Sequence, residues 1–478
     1  MINKNMLLIL IISYVVVSNA ADHYVRDGAS GSADGSDWTN AWDEIPASLT
    51  RGDTYFIADG TYGGIYGDDA ESGTTIIHIK KAISTDHGTE TGWESSYGDG
   101  QADLGEGITF SYGFYNIDGQ VGGGPDNWKT GHGFKMTRTM AGYAVDFRGP
   151  GTWNATSCNN ITFSHIEFEG RGSGIDAVDR ILNIKYVGTD GSFDGHQNVT
   201  VEYCYLHSVS GQMIHMDASN NFILQYSCLS TNTSTATNHG EGLQINCSGN
   251  GVARYNLFED IEGSGIFGFK TDSAYDDDEW DIYGNVMMYS QSYFNNAPVG
   301  IEGIANGVIM TDSQVNGTSS ADNIRFYNNS IIRVRGTRTG CENYFGSTTS
   351  INNVWYDCVR SSLTEGSVYF NSDALSPHSY NSFVSPEDTT IEILYGYGEG
   401  NDWLLGTSDE IILEQSSPFT AYLTYDFTLI SGSILTAGTS LGSPYNVDMF
   451  GNTRGEDGTW DRGAIEYVSG LKYLIGIQ

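Results

Sequence analysis

One pattern limits the fold more than any other: a short segment that recurs along the middle of the chain with irregular spacing. The copies are NNITFSHIEF from Asn159, NVTVEYCYLH from Asn198, NNFILQYSCL from Asn220, NGVARYNLFE from Asn250, EWDIYGNVMM from Glu279 and DNIRFYNNSI from Asp322. Each holds an apolar–any–apolar strand, two residues, a turn position and a further apolar pair. Asn256, Asn285 and Asn329 occupy the turn position, and Cys204 and Ser227 take it in earlier copies. A fixed strand pattern with variable intervening length is the mark of a solenoid with loops of unequal size. A second strand follows each copy: RILNIKYV from Arg180, GQMIHMDA from Gly211, EGLQINCS from Glu241 and SGIFGFKT from Ser264. Short period-two strands joined by Asn and Gly turns predict an all-β, right-handed parallel β-helix with irregular loops and capped ends. Asparagine repeated at one turn position can bond its copies above and below, forming a ladder. Antiparallel hairpin signals at regular spacing, which a sandwich or propeller needs, are absent.

Composition agrees. The chain of 478 residues has 61 Gly, 8 Pro and only 17% charged residues, which suits strands and turns over long helices. Its formal charge of −37 argues against binding nucleic acid through phosphates. Residues 1–20 carry an early lysine, an apolar run and a small-residue exit, the layout of a cleaved secretory signal. The mature protein is therefore expected outside the cytoplasm, secreted or periplasmic, with no membrane span. Residues 21–150 are read as an N-terminal cap with the first turns and long loops. Residues 151–370 form the central turns with a groove, and 371–478 the last turns and a C-terminal cap. Capped ends argue for a monomer. Six cysteines without a CxxC spacing (Cys158, Cys204, Cys228, Cys247, Cys341 and Cys358) read best as small buried hydrophobes, with one or two bridges at most. Seven glycosylation sequons carry little weight in a chain this rich in Asn, Ser and Thr.

Alternation sorts the second strands. With Leu182, Ile184, Ile214, Met216, Leu243 and Ile245 inward, two outward columns result. One holds Asn183, His215 and Gln244, the other Lys185, Asp217 and Asn246. Arg180, Gln212 and Glu241 line up just before the strands, with His239 two residues earlier. Polar residues are ordinary on a solvated sheet, and Lys185 beside Asp217 reads equally as a cross-strand ion pair. The concentration of ionisable groups in successive turns nevertheless marks this face as the candidate site. In the next turn either Phe267 and Phe269 are exposed platforms for a sugar ring, or they are buried and Lys270 faces the groove beside Gly268. Burial of the phenylalanines is the expected outcome. The acidic run Asp272, Asp276–Asp278 and Glu279 offers oxygen ligands for calcium, without the spacing of a dedicated loop.

Two stretches carry a family resemblance. RGDTYFIADGTYGG, residues 51–64, resembles the entry strand of secreted β-helix proteins of the pectate-lyase-like superfamily, which includes alginate and chondroitin lyases. VDMFGNTRGEDGTWDRGAIEY, residues 447–467, resembles the last-turn signature of such proteins. The resemblance implies the fold and a groove that takes an anionic polysaccharide. It implies calcium as a candidate cofactor, with Glu241 and Asp217 the available ligands, and no organic cofactor. The paired Glu-x-Glu of those lyases is missing, because Gly242 and Leu243 follow Glu241. The leading expectation is β-elimination on a uronate-containing chain. His215 is the first candidate base and Lys270 the second, with Asp217 orienting the imidazole. Lys185, Arg180, Asn183 and Gln244 neutralise or bind the carboxylate, and Glu241 contacts hydroxyls or calcium. Gln212, His239, Asn246, Phe267 and Phe269 complete the expected substrate contacts. A glycoside hydrolase using Asp217 and Glu241 is the alternative, and a non-catalytic carbohydrate-binding surface protein the third.

Overall fold

In a computed structural model the protein is described at residues 20–105, 107–149, 157–172, 179–185, 195–233, 240–246, 249–263, 265–270, 279–296, 307–311, 323–334, 340–344, 348–358, 367–371, 378–386, 392–395, 401–402, 405–413 and 415–468. Successive repeats supply strands to three parallel sheets, of 12, 12 and 8 strands, and a separate four-stranded sheet is built from strands between Gly340 and Asp402. A typical turn runs Val199–Glu202 in the first sheet, Tyr205–Ser210 in the second and Ile214–Asp217 in the third. Register passes from turn to turn without slippage, as in the column Val201, Leu224, Ala253, Ile282, Phe326 and Ser350. Parallel strands joined only through crossovers must coil, and such crossovers take the right hand. The chain is a right-handed parallel β-helix.

The coil is filled by inward residues of all three sheets, among them Ile161, Phe163, Leu182, Val201, Ile245 and Trp280, each fully buried. Between the first and second sheets the chain turns sharply through left-handed backbone at Tyr203, Tyr226, Tyr255, Gly284, Asn328, Asn352 and Tyr380. The residue after each of these is the ladder position that the repeats predicted. Asn256 donates its backbone N–H to Asn285 Oδ1 at 3.0 Å, Asn285 to Asn329 at 3.0 Å and Asn329 to Asn353 at 2.9 Å. Asn353 continues to Asn381 at 3.0 Å and Asn381 to Asp409 at 2.7 Å. Each asparagine amide also donates to a main-chain carbonyl, so the buried turn leaves no polar group of the ladder unpaired. The ladder therefore runs further than the three asparagines legible in the repeats.

The second sheet is buried on both faces along its later turns. Leu257, Val286, Met288, Ile332, Val354, Tyr356 and Val384 point away from the coil, into a second core with Phe419, Phe427, Leu429, Leu435 and Ile465. The C-terminal stretch thus lies along the outside of this sheet. The signature read as a last turn belongs to that strap. Tyr445 packs edge-on against Tyr283 and Tyr327, and Ala464 donates its N–H to Ser330 Oγ at 2.9 Å. Within it, the buried Asp448 accepts the N–H groups of Phe450, Asn452 and Glu466, and Arg454 donates to the Ala464 carbonyl at 2.7 Å.

Cys158, Cys204, Cys228 and Cys358 are buried free thiols, which matches their reading as small hydrophobes. Cys247 and the Cys341 side chain lie outside the described residues. No helix among the described residues is long and apolar enough to cross a membrane.

Candidate functional site

The third sheet carries the strands Tyr143–Phe147, Arg180–Lys185, Ile214–Asp217, Leu243–Asn246 and Gly265–Lys270. Their register reproduces both predicted columns. Asn183, His215, Gln244 and Gly268 align in one, and Lys185, Asp217, Asn246 and Lys270 in the other. Inward neighbours Leu182, Ile214, Leu243 and Phe267 form a buried stack that fixes which way the polar residues point.

Two corrections follow from burial. Phe267 and Phe269 are 0% and 1% exposed, so they fill the core and offer no platform to a sugar. Burying two large apolar rings outweighs exposing them by several kcal/mol, roughly 2 each. Gly268 makes room for protein, because a Cβ there would stand 3.0 Å from Gln244 Oε1 and 3.1 Å from Glu241 Cγ. Nor is the face a flat solvated strip: Asn183, His215 and Glu241 are 3%, 5% and 1% exposed.

What buries Asn183 is a polar network. Arg180 donates to Asn183 Oδ1 at 2.8 Å and to Gln212 Oε1 at 2.9 Å. Asn183 donates in turn to Asp146 Oδ1 at 2.9 Å, and Arg148 holds the other Asp146 oxygen at 2.7 Å. The Arg180 guanidinium lies 5.6 Å from the centre of the Tyr143 ring. Asp146 continues the His215 column one turn toward the N-terminus. It escaped the sequence reading because the long insertion before Tyr143 hides the repeat. The alternation in YAVDF, with Val145 and Phe147 buried, was the available signal.

His215 sits in a second network. Gln244 Nε2 donates to Asn246 Oδ1 at 2.7 Å, which turns the Asn246 amide nitrogen toward His215 Nε2 at 3.2 Å. Asn246 also hydrogen-bonds Asp217, a carboxylate that only accepts, so the amide orientation is fixed from both ends. Nε2 of His215 is then an acceptor and the proton resides on Nδ1, which is buried and has no hydrogen-bond partner among the described residues. Asp217 stands 4.0 Å from the imidazole, so it acts on His215 through Asn246 rather than by direct contact. Burial, with Arg180 and Lys185 nearby, pushes the His215 pKa down to about 3. Burial raises the Asp217 carboxyl against the opposing pull of Asn246, Lys185 and Arg180.

A histidine whose folded pKa is depressed contributes stability that is full above its unfolded pKa near 6.5 and is lost as pH falls toward the folded value. Wild type should therefore lose stability relative to His215→Gln between pH 6.5 and about 3, by up to ~1.4 kcal/mol per pH unit. Paired urea titrations at several pH values check this; parallel curves for the two proteins contradict it.

Lys185 Nζ is 3.7 Å from Asp217 Oδ2, with the lysine side chain 40% exposed and the aspartate 19%. Two buried groups secure the strands from behind. His196 accepts the Cys158 N–H at 2.9 Å, and its Nε2 lies 3.3 Å from the Lys185 carbonyl. Asn232 donates to the Gly211 and Glu241 carbonyls at 3.3 Å and accepts the Glu262 N–H at 2.7 Å. Neither carries a signal in the repeated segments.

His239 and the acidic run from Asp272 to Asp278 lie outside the described residues, as does the Lys270 side chain. Among the described residues no group of three or more His, Cys, Asp or Glu is placed to hold a metal ion. Asp217 is engaged by Lys185 and Asn246, and Glu241 is buried, so this pair does not fit a calcium site.

No protein-family model and no curated protein sequence matches the chain. Among solved structures it is similar to the pectate lyase Pel9A, with 14% identity and a TM-score of 0.46 over 95% of this chain and 98% of the other. It is also similar to the GH136 lacto-N-biosidase from Eubacterium ramulus, with 8% identity and a TM-score of 0.40 over 82% and 68%.

Proposed function

We propose that the chain is a polysaccharide lyase that cleaves uronate-containing chains by β-elimination in the groove along the third sheet. One observation carries the reading: among the described residues of the strands Arg180–Lys185, Ile214–Asp217 and Leu243–Asn246, the ionisable pair that solvent reaches on the outward columns is a lysine with an aspartate, Lys185 and Asp217. Hydrolysis needs two carboxyl groups about 5 to 10 Å apart that both reach the glycosidic bond, and Glu241 is only 1% exposed. Elimination instead needs a cation on the uronate carboxylate and a base beside the adjacent C–H.

In this proposal Lys185 takes the carboxylate, with Asp217 holding the ammonium in place and Arg180 adding positive potential from behind. His215, neutral and with its Nε2 engaged by Asn246, keeps the amide chain ordered and does not take the proton. The base is Lys270, whose backbone position continues the column of Lys185, Asp217 and Asn246. The base removes the proton beside the carboxylate, the C–O bond to the leaving chain breaks, and a double bond forms at the new end. The leaving oxygen takes a proton from solvent or from the protonated base.

Lys185→Met tests the carboxylate contact. Its KM on a uronate polymer should rise at least about tenfold, because a charge-assisted bond of some 1.5–3 kcal/mol is lost. Unchanged kinetics in a folded variant would overturn this assignment.

A further inference from the structure

The His215 column does not end at Asp146. Register carries it through Thr109 to Tyr66, on the strand Ile65–Gly67 that begins the third sheet. Ile65 and Gly67 face the coil, while Tyr66 is 62% exposed, more than any other large hydrophobic side chain among the described residues. Its ring therefore contributes nothing to the core. From Tyr66 the column passes through Thr109, Asp146 and Asn183 to His215, four sheet steps of about 4.8 Å, or roughly 19 Å. Thr109 is small and half-buried, so the face between Tyr66 and Asp146 stays low.

We propose that Tyr66 is a distal subsite that stacks on a pyranose ring of the polysaccharide, holding the chain along the axis of the third sheet. An aromatic ring offers an apolar face to the C–H face of a sugar, and its phenol edge remains among hydroxyls and water. The inference rests on the groove reading given above, and it adds a substrate long enough to reach from His215 to Tyr66. Lys185 lies on the Asn183 strand, three sheet steps or roughly 14 Å from Tyr66, so a dimer held at the Lys185–Asp217 pair falls short of Tyr66.

The test uses the full chain as wild type, Tyr66→Ala and Tyr66→Trp, run through native gels cast with pectate, alginate or chondroitin sulfate, with kinetics on whichever polymer is cleaved. The expected result is retardation of wild type and Tyr66→Trp by one polymer, with clearly weaker retardation of Tyr66→Ala. On that polymer KM of Tyr66→Ala should rise about tenfold with kcat within about twofold, and on its dimer it should match wild type. Retarded wild type with an equally retarded Tyr66→Ala overturns the subsite and leaves the groove reading standing. Wild type that no polymer retards and none is cleaved by overturns both. Because Tyr66 is exposed, matching circular dichroism of the three proteins is expected, and a fall in affinity then reports binding.

Discussion

Asn285→Ala should lower the unfolding free energy by about 3–5 kcal/mol. The side chain is fully buried at the turn between the first and second sheets. Its carbonyl oxygen accepts both the backbone N–H and the side-chain amide of Asn256 at 3.0 Å. Its amide donates to the Ala253 carbonyl at 2.8 Å and to Asn329 Oδ1 at 3.0 Å. Truncation strands those partners in a fully buried turn, and each stranded group costs about 1–3 kcal/mol, less than additively. Asn198, which bonds Asn160 at 3.1 Å on the exposed outer edge, serves as the control. Its alanine variant should lose no more than about 2 kcal/mol, because water replaces the missing partner and the remaining cost is alanine in the left-handed backbone of that turn. Urea unfolding of both variants is the measurement. Equal losses at the two sites would mean that burial of the ladder does not set its strength.

Lys270→Ala should abolish elimination, with kcat reduced by about 10²–10⁴, whereas His215→Gln should retain turnover within roughly tenfold of wild type. The contrast follows from the imidazole. With Nε2 facing Asn246 and the pKa pushed down to about 3, His215 is a weak and occupied acceptor. Its removal loosens the amide chain to Asn246 and Gln244 without deleting the proposed proton acceptor. Lys270 stands in register with Asn246, in the column of Lys185 and Asp217. Steady-state rates on a cleaved polymer, with both variants folded by circular dichroism, decide the matter. A dead His215→Gln beside an active Lys270→Ala would return the base to the histidine.

The coil was legible because its period is written locally. The ladder residues after Cys204 recur at separations of 23, 29, 29 and 44 residues, and those separations are the ones the hydrogen bonds span. Column membership was equally readable, since alternation about Leu182, Ile214 and Leu243 leaves one choice. Depth was not. Asn183 is buried by Asp146, 37 residues earlier, and by Arg180 reaching back along its own strand. Such contacts depend on turn stacking that a single strand does not encode. GIFGFK was ambiguous for another reason, because either parity is amphipathic enough and only ring volume decides. The strap was misread although a signal existed. The strands LFE, VMM, SII, VWY and SFV are buried at every position. Continuous burial of this kind belongs to a sheet covered on both faces, as the second sheet is by the C-terminal stretch.

Elimination and hydrolysis on the third sheet differ in the chain ends they leave. Purified protein incubated with pectate, alginate, chondroitin, hyaluronan, glucuronan and ulvan would be followed by ultraviolet absorbance of unsaturated uronate ends and by total reducing ends. Both signals should rise together on at least one polymer, and Lys270→Ala should abolish both. Reducing ends without absorbance would contradict elimination and move the chemistry to a carboxylate pair.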